Sequence, residues 1–352
     1  MEPREDQIFD PDGDVVLILG GASVSNASIT DDTLPEQNNE AEAPFPCQQH
    51  DETESSDAFE AKVSSKHLIL ASRVFRAMFN GNFREAVELH KQEVSKVPLP
   101  DDNPDAMVVL LNIVHGLNKQ VPRKIGETLF LDIVTLIDKY EFHEAAYVFT
   151  DIWFGDLWKW TEKAPPHLFH WIYICWVLRK GYDFTNLTRT AILESQSGLG
   201  QSDTGPCPAF IITKVESQRL ALVSACLARL TDTLGRYEIP MQQCRTNKDC
   251  DALVLGSLIQ KLKPLGLFPV PLPDAPTMSV KELSSFFRGL EIRTLCQAMG
   301  MYAAGGSCGR LSKNLQDIAP QIQPELFGLA RLGGVCGLGI ESFAQTKSPG
   351  PP

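Results

Sequence analysis

The residues of this chain best suited to chemistry are its cysteine, histidine and glycine clusters, and each falls short of a complete pattern. Cys244 and Cys250 stand in a C-x5-C arrangement that supplies half of a structural zinc site. Such a site needs four ligands, usually as two close pairs. No second close pair is evident, so Cys207, Cys226 or Cys296 would complete the set only by tertiary coincidence. Nine cysteines at irregular spacing, without a secretory leader, read as reduced thiols that mostly serve the core. His167 and His170 lie three apart beside Trp171, where aromatic packing is a simpler role than metal binding. His143-Glu144-Ala145-Ala146 begins like a zinc-protease helix, yet Tyr147 occupies the place of the second histidine. The glycines Gly333-Gly334 and Gly337-Leu338-Gly339 follow no strand signal and precede no helix, so they make no dinucleotide loop. A phosphate loop, a nucleophile turn and a C2H2 finger are missing as well. His67 stands alone on an apolar helix with no nucleophile nearby, which suits a structural hydrogen bond near Asp14 rather than catalysis. The expectation is a non-enzyme with no catalytic residue, cofactor or metal.

The bulk composition fits that expectation. A chain of 352 residues, 43% hydrophobic and 22% charged, is long enough for two domains and can bury a sizeable core. Its net charge of −12 argues against direct nucleic-acid binding, which selects clustered Lys and Arg. Most of that charge comes from residues 22–58, which carry nine carboxylates (Asp31, Asp32, Glu36, Glu40, Glu42, Asp51, Glu52, Glu54 and Asp57) and no Lys or Arg. This segment is polar and nearly free of aromatics, so it reads as a disordered acidic insert. Its hydroxyls (Ser28, Thr30, Thr53, Ser55, Ser56) suit phosphorylation or a plain solvated spacer. Met1-Glu2-Pro3-Arg4-Glu5-Asp6 lacks the basic start and apolar run of a signal peptide. The longest apolar run, Leu168 to Leu178, is shorter than the about 20 residues a membrane span requires. An intracellular protein of the cytoplasm or nucleus, without a membrane, is expected.

The elements that must position any site are legible in outline. Asp14 to Leu19 is an apolar, β-branched run between Pro11-Asp12-Gly13 and Gly20-Gly21, the pattern of a strand covered on both faces. A second strand runs from Phe59 to Val63. An insertion between two adjacent strands is tolerable because loop-closure entropy grows only logarithmically with length. From Ser64 to Phe79 the pattern is helical, with Ser72 as a cap for Phe75, Met78 and Phe79 and with Asn80-Gly81 as the stop. An extended stretch, 93–99, leads to helices over 105–117, 126–140 and 143–158. Lys163-Ala164-Pro165-Pro166 marks the boundary, within a linker over 159–166. Beyond it the chain reads as helical from 167 to 343, with a disordered tail over 344–352. Residues 196–208 form a loop. Leu220, Val223, Leu227, Leu230 and Leu234 define an amphipathic helix over 214–236. A shorter helix starts at Asp251, 264–276 interrupts, and Ser279-Val280-Lys281-Glu282 matches a capping box.

Gly13-Asp14-Val15-Val16, then Val63-Ser64-Ser65-Lys66-His67-Leu68-Ile69-Leu70-Ala71-Ser72 with Val74-Phe75-Arg76-Ala77-Met78-Phe79, resemble the BTB/POZ family, and most of all its fungal members. Pro98-Leu99-Pro100-Asp101-Asp102 and Leu136-Ile137-Asp138-Lys139-Tyr140 extend the likeness over residues 8–158. The C-terminal half, including Cys250-Asp251-Ala252-Leu253-Val254-Leu255-Gly256, resembles the tail attached to fungal BTB proteins. The implied architecture is α+β, a BTB/POZ fold of a small sheet flanked by helices, followed by a mostly helical C-terminal domain. The implied core includes Asp14, His67, Leu70, Ser72, Phe75, Met78 and Phe79. BTB domains that recruit cullin-type ubiquitin ligase scaffolds carry a hydrophobic-x-Glu pattern after the Met-Phe helix, and Phe83-Arg84-Glu85 falls at that place. Phe83 would then anchor a partner and Glu85 would set its orientation, or Phe83 would fold back onto its own domain. Many family members dimerise through a helix ahead of the first strand. Few residues stand before Asp14 here, which leaves a homodimer in doubt. The resemblance implies an adaptor or scaffold for protein partners, with a cullin-type ligase receptor as one version. A nuclear, corepressor-like adaptor and an enzyme within the C-terminal half are the alternatives.

Overall fold

The computed structural model describes residues 6–20, 59–81, 83–91, 94–158, 165–196, 204–238, 243–244, 249–274, 278–290, 292, 294 and 295. The expected acidic insert with its hydroxyls, most of the linker, most of the 196–208 loop, Cys296, the C-terminal glycines and the tail lie outside these residues. The chain divides into two compact units, Met1–Trp160 and Thr161–Pro352.

The first unit is a mixed α+β structure. The strands among its described residues are β1 (Gln7–Ile8), β2 (Val15–Leu19), β3 (Phe59–Val63) and β4 (Ser95–Leu99), in the order β1-β3-β2-β4. β2 pairs antiparallel with β3, Val15 opposite Val63 and Leu19 opposite Phe59. It pairs parallel with β4, while the short β1 pairs parallel with β3. The two-residue β1 has no alternation long enough to announce it in the sequence. Central β2 buries Val15, Val16, Leu17 and Leu19, as its unbroken apolar run requires. β3 buries alternate residues, Phe59, Ala61 and Val63, and β4 does the same with Ser95, Val97 and Leu99. β4 is an edge strand, which is why Pro98 is tolerated inside it.

Among the described residues of this unit the helices are α1 (Ser65–Ala71), α2 (Arg73–Asn80), α3 (Arg84–Lys91), α4 (Pro104–Val114), α5 (Glu127–Tyr140) and α6 (His143–Trp158). The helical stretch expected from Ser64 to Phe79 is thus broken at Ser72, whose backbone is extended. The Ser72 hydroxyl accepts from the Phe75 N–H at 3.0 Å, so the expected cap is made. α4 begins on Asn103, which accepts from the Ala106 N–H, and on Pro104. Phe75 stacks on Tyr140 with ring centroids 4.8 Å apart, and Phe79 and Phe142 complete an aromatic cluster.

Two residues expected in this core stand elsewhere. Leu68 is buried, whereas Leu70 is 78% exposed. Positions two apart on a helix point about 200° apart, so a short α1 cannot direct both leucines inward. His67 is exposed as well, and the Asp14 carboxylate takes Ser65 instead. Met78 is half-buried, while Ser72, Phe75 and Phe79 are buried.

The described residues of the second unit are helical: α7 (Leu168–Val177), α8 (Gly181–Glu194), α9 (Ala209–Glu238), α10 (Asp249–Leu262), a 3-10 turn (Lys263–Leu265) and α11 (Val280–Arg288). α7 is apolar on every side and correspondingly buried. α9 runs longer than the 214–236 expected, because the apolar Phe210, Ile211 and Ile212 continue its pattern back toward Pro208. Val223, Leu227, Leu230 and Leu234 pack with Val254 and Leu258 of α10 and with Leu283 and Phe287 of α11. Leu220 is only half-buried. The capping box is complete: Ser279 accepts from the Glu282 N–H at 3.2 Å, and Glu282 accepts from the Ser279 N–H at 2.8 Å. No helix among the described residues is long and apolar enough to cross a membrane.

Candidate docking surface

The site residues expected from sequence lie where α2 turns into α3. α2 ends at Asn80, and Gly81 follows. A side chain on Gly81 would stand 2.5 Å from the Ala77 carbonyl oxygen and 2.9 Å from Cδ2 of Phe83, so glycine lets that ring lie close against the turn. The Phe83 carbonyl accepts from the N–H groups of Ala86 and Val87, at 3.1 and 3.2 Å, and so begins α3. Its side chain is 58% exposed. Val87, one helical turn on, is also exposed, while Ala86 is buried. An apolar stripe of Phe83 and Val87 therefore faces solvent.

The charged residues of the motif sit around that stripe. Glu85 lies in the first turn of α3, where the exposed N–H groups favour a carboxylate. It is half-buried, and Arg84 is exposed. Arg84 Nε stands 3.3 Å from Glu88 Oε1, an i,i+4 pair worth little at this exposure. The arrangement can bind but holds no nucleophile and base in contact. It resembles the anatomy of a small contact patch, an aromatic anchor with charges at its rim.

A buried polar network fixes α2, the helix that leads into the patch. The Ser72 hydroxyl donates to the Tyr140 carbonyl at 2.5 Å while accepting from Phe75, which ties the start of α2 to the end of α5. The Tyr140 hydroxyl donates to one oxygen of buried Asp102, and Lys139 Nζ lies 2.5 Å from the other. Burial and the Asp102 carboxylate push the Tyr140 phenol well above its ordinary value, so it remains a neutral donor. The two segments singled out in sequence, 98–102 and 136–140, meet in this contact.

A second network holds α1. Ser65 donates to Asp14 twice, from its N–H at 2.7 Å and from its hydroxyl at 2.6 Å. The Ser64 N–H donates to Nε2 of His115 at 3.1 Å, and the other ring nitrogen of His115 donates to the Leu111 carbonyl at 2.9 Å. His115 thus performs the structural role assigned in sequence to His67, whose ring lies 5.0 Å away. Sequence reasoning missed it because nothing local marks a histidine at the end of α4 as reaching back to α1. Desolvation lowers the His115 pKa, a direction shared by its neighbour His67 and opposed by the Leu111 hydrogen bond and Asp10.

The remaining chemical candidates resolve as follows. Cys244 and Cys250 pack against each other beside Leu295, and Asp251 accepts from the N–H groups of Gln243 and Cys244. Cys226 belongs instead to the core around Val223 and Leu227. No group of three or more His, Cys, Asp or Glu suited to a metal occurs among the described residues. Burial pushes the Cys207 thiol up to about 12 and that of Cys175 higher still, which leaves both protonated. His167 and His170 stack, with ring centroids 5.1 Å apart. In comparisons with known proteins, no family model, no curated protein and no solved structure matches this chain.

Proposed function

We propose that this protein is an interaction adaptor of the BTB/POZ type, whose first unit docks a protein partner through Phe83, Arg84 and Glu85. The observation that carries the reading is the exposure of Phe83 at the head of α3, with Glu85 in the first turn behind it. An exposed aromatic beside Val87 forfeits burial that a partner would supply, of the order of 1.5–3 kcal/mol for a fully buried side chain. Tyr140 is engaged with Asp102, and burial keeps the Cys175 and Cys207 thiols protonated, so none of the three is poised as a nucleophile or base. The partner class this motif suits is a cullin-type ligase scaffold, which makes the helical second unit the target-binding half.

Affinity purification of the intact protein beside a Phe83→Ala/Glu85→Lys variant tests the reading. A cullin recovered with the wild type and lost with the variant is the expected outcome. Equal recovery with both, or none with either, overturns the cullin assignment.

A further inference from the structure

The described cysteines of the second unit are of two kinds. Cys226 is one residue among many in the aliphatic core around Val223 and Leu227, and Cys175 lies within apolar α7. Cys244 and Cys250 instead make a fully buried cluster of their own among the described residues, with the partly buried Leu295 packed against it. Two thiols and one leucine are a small apolar group, so hydrophobic burial is a weak reason for pairing them. The backbone holds the pair together. Cys250 lies in the first turn of α10. Asp251, in the same turn, accepts from the N–H of Gln243 at 2.7 Å and from that of Cys244 at 3.1 Å, which pins the segment carrying Cys244 onto the helix start. Outer carboxylates of this kind orient metal ligands. The helix N–H groups favour a thiolate at Cys250, and the neighbouring Asp249 and Asp251 oppose one. A bound dication would offset all of that negative charge.

Leu295 is what brings a third thiol to the pair. Cys296 follows it directly in sequence, so a cysteine stands one residue along the chain from a side chain packed on Cys244 and Cys250. Neither Cys207 nor Cys226 joins the pair. Of the other cysteines of the second unit, Cys308 is nearer in sequence to Cys296 than Cys336 is, and so closes the smaller loop. We infer that Cys244, Cys250, Cys296 and Cys308 bind one zinc ion as a structural four-thiolate site. Soft sulfur donors in that number select zinc. Each sulfur gives up its thiol proton to solvent as it binds the ion, so uptake of zinc releases protons. The spacings between these cysteines are wider than the two to four residues usual between paired ligands, which is why the pattern alone does not announce the set. The site is separate from the surface at Phe83 and stands or falls independently of it.

The test uses the full chain, kept reduced, with zinc or cobalt alone as the probe. Wild type should take up one equivalent of zinc with release of protons, and cobalt in its place should give the thiolate charge-transfer and tetrahedral ligand-field bands of sulfur coordination. Variants that lose a structural metal can also lose the fold, so a further readout is taken on the wild type. Zinc should shield Cys244, Cys250, Cys296 and Cys308 from alkylation, located by peptide mass spectrometry, while Cys47 is labelled equally with and without the metal. Cys244→Ser/Cys250→Ser and Cys296→Ser/Cys308→Ser should each weaken zinc binding by more than the about 10–100-fold that loss of an outer partner costs. Cys47→Ser/Cys336→Ser should bind as wild type does. Failure of the wild type to bind an equivalent of zinc, shielding of other cysteines instead of these, or unchanged affinity in either ligand variant overturns the inference. A Cys244–Cys250 disulfide in protein trapped with acid and alkylating agent directly from cells also overturns it, since the pair would then be a redox couple.

Discussion

Side-chain hydrogen bonds of buried groups among the described residues differ in reach between the two units of this chain. In the first, Ser65 reaches Asp14 across 51 residues, Ser64 reaches His115 across 51, and Ser72 reaches Tyr140 across 68. Tyr140 then reaches Asp102 across 38. In the second, Thr188 bonds the Phe184 carbonyl four residues back, Arg219 forks onto Glu216 three back, and Ser279 and Glu282 cap each other. The first unit fixes the mutual position of sheet and helices with oriented bonds, which tolerate few alternatives. Among the described residues, the second caps its helices with near neighbours, joins α8 to α11 by an exposed Lys281–Glu194 ion pair, and packs α9, α10 and α11 through aliphatic side chains. Exposed Phe83 and the neighbouring Glu85 lie in the first unit, on the helix that follows α2.

The contrast can be broken most forcefully at the aromatic cluster. Phe75→Ala removes the ring between Tyr140, Phe79 and Phe142 and should cost about 3–5 kcal/mol, read by hydrogen exchange of first-unit peptides in the intact protein. Peptides from α9 to α11 should be unaffected, and a matching loss there would end the distinction. Tyr140→Phe keeps the stack but deprives buried Asp102 of one of its two side-chain donors, for about 1–3 kcal/mol in chemical denaturation. A cost close to zero would show that the long-range network is ornamental. In the second unit, Ser279→Ala should cost only about 1 kcal/mol, confined to amides at the start of α11.

Acid sharpens the comparison further. The folded pKa of His115 lies below the ordinary 6.5, so between the two values the unfolded chain binds the extra proton. Stability therefore falls as pH drops through that window and is fully present above 6.5. Protonated Nε2 can no longer accept from Ser64, and exchange of the Ser64 amide should rise on acidification. His115→Gln should flatten that dependence. Leu70→Ser should have the smallest effect, within about 0.5 kcal/mol, because the side chain already faces water. A large loss would return Leu70 to the core.

The local features were legible. Periodicity placed α5 and α6 within a residue of their limits, Ser72 and the Ser279–Glu282 box capped as their residue types require, and the apolar run of β2 became an inner strand. Each depends on neighbours a few residues away, or on a hydrophobic pattern strong enough to name its own burial. β1 was not legible, because two residues carry no alternation. Leu70 was misplaced because an apolar block reads as core until the helix phase is fixed by what it packs against.

What the sequence determined by itself was the α+β first unit followed by helices, the order of most elements, and the placement of Phe83-Arg84-Glu85 just after the helix bearing Phe75 and Phe79. Which of several similar residues does a given task was decided by tertiary structure alone. His115 rather than His67 receives the Ser64 amide, Ser65 rather than His67 takes Asp14, and Asp102 meets Tyr140. The outward turn of Tyr147, Val148 and Ile152 was equally hidden, since α6 is apolar on more than one side. The physical reason is common to all four. Hydrogen bonds and burial across 38 to 68 residues depend on the packing of the whole sheet and helix layer, and no window of local sequence carries that information.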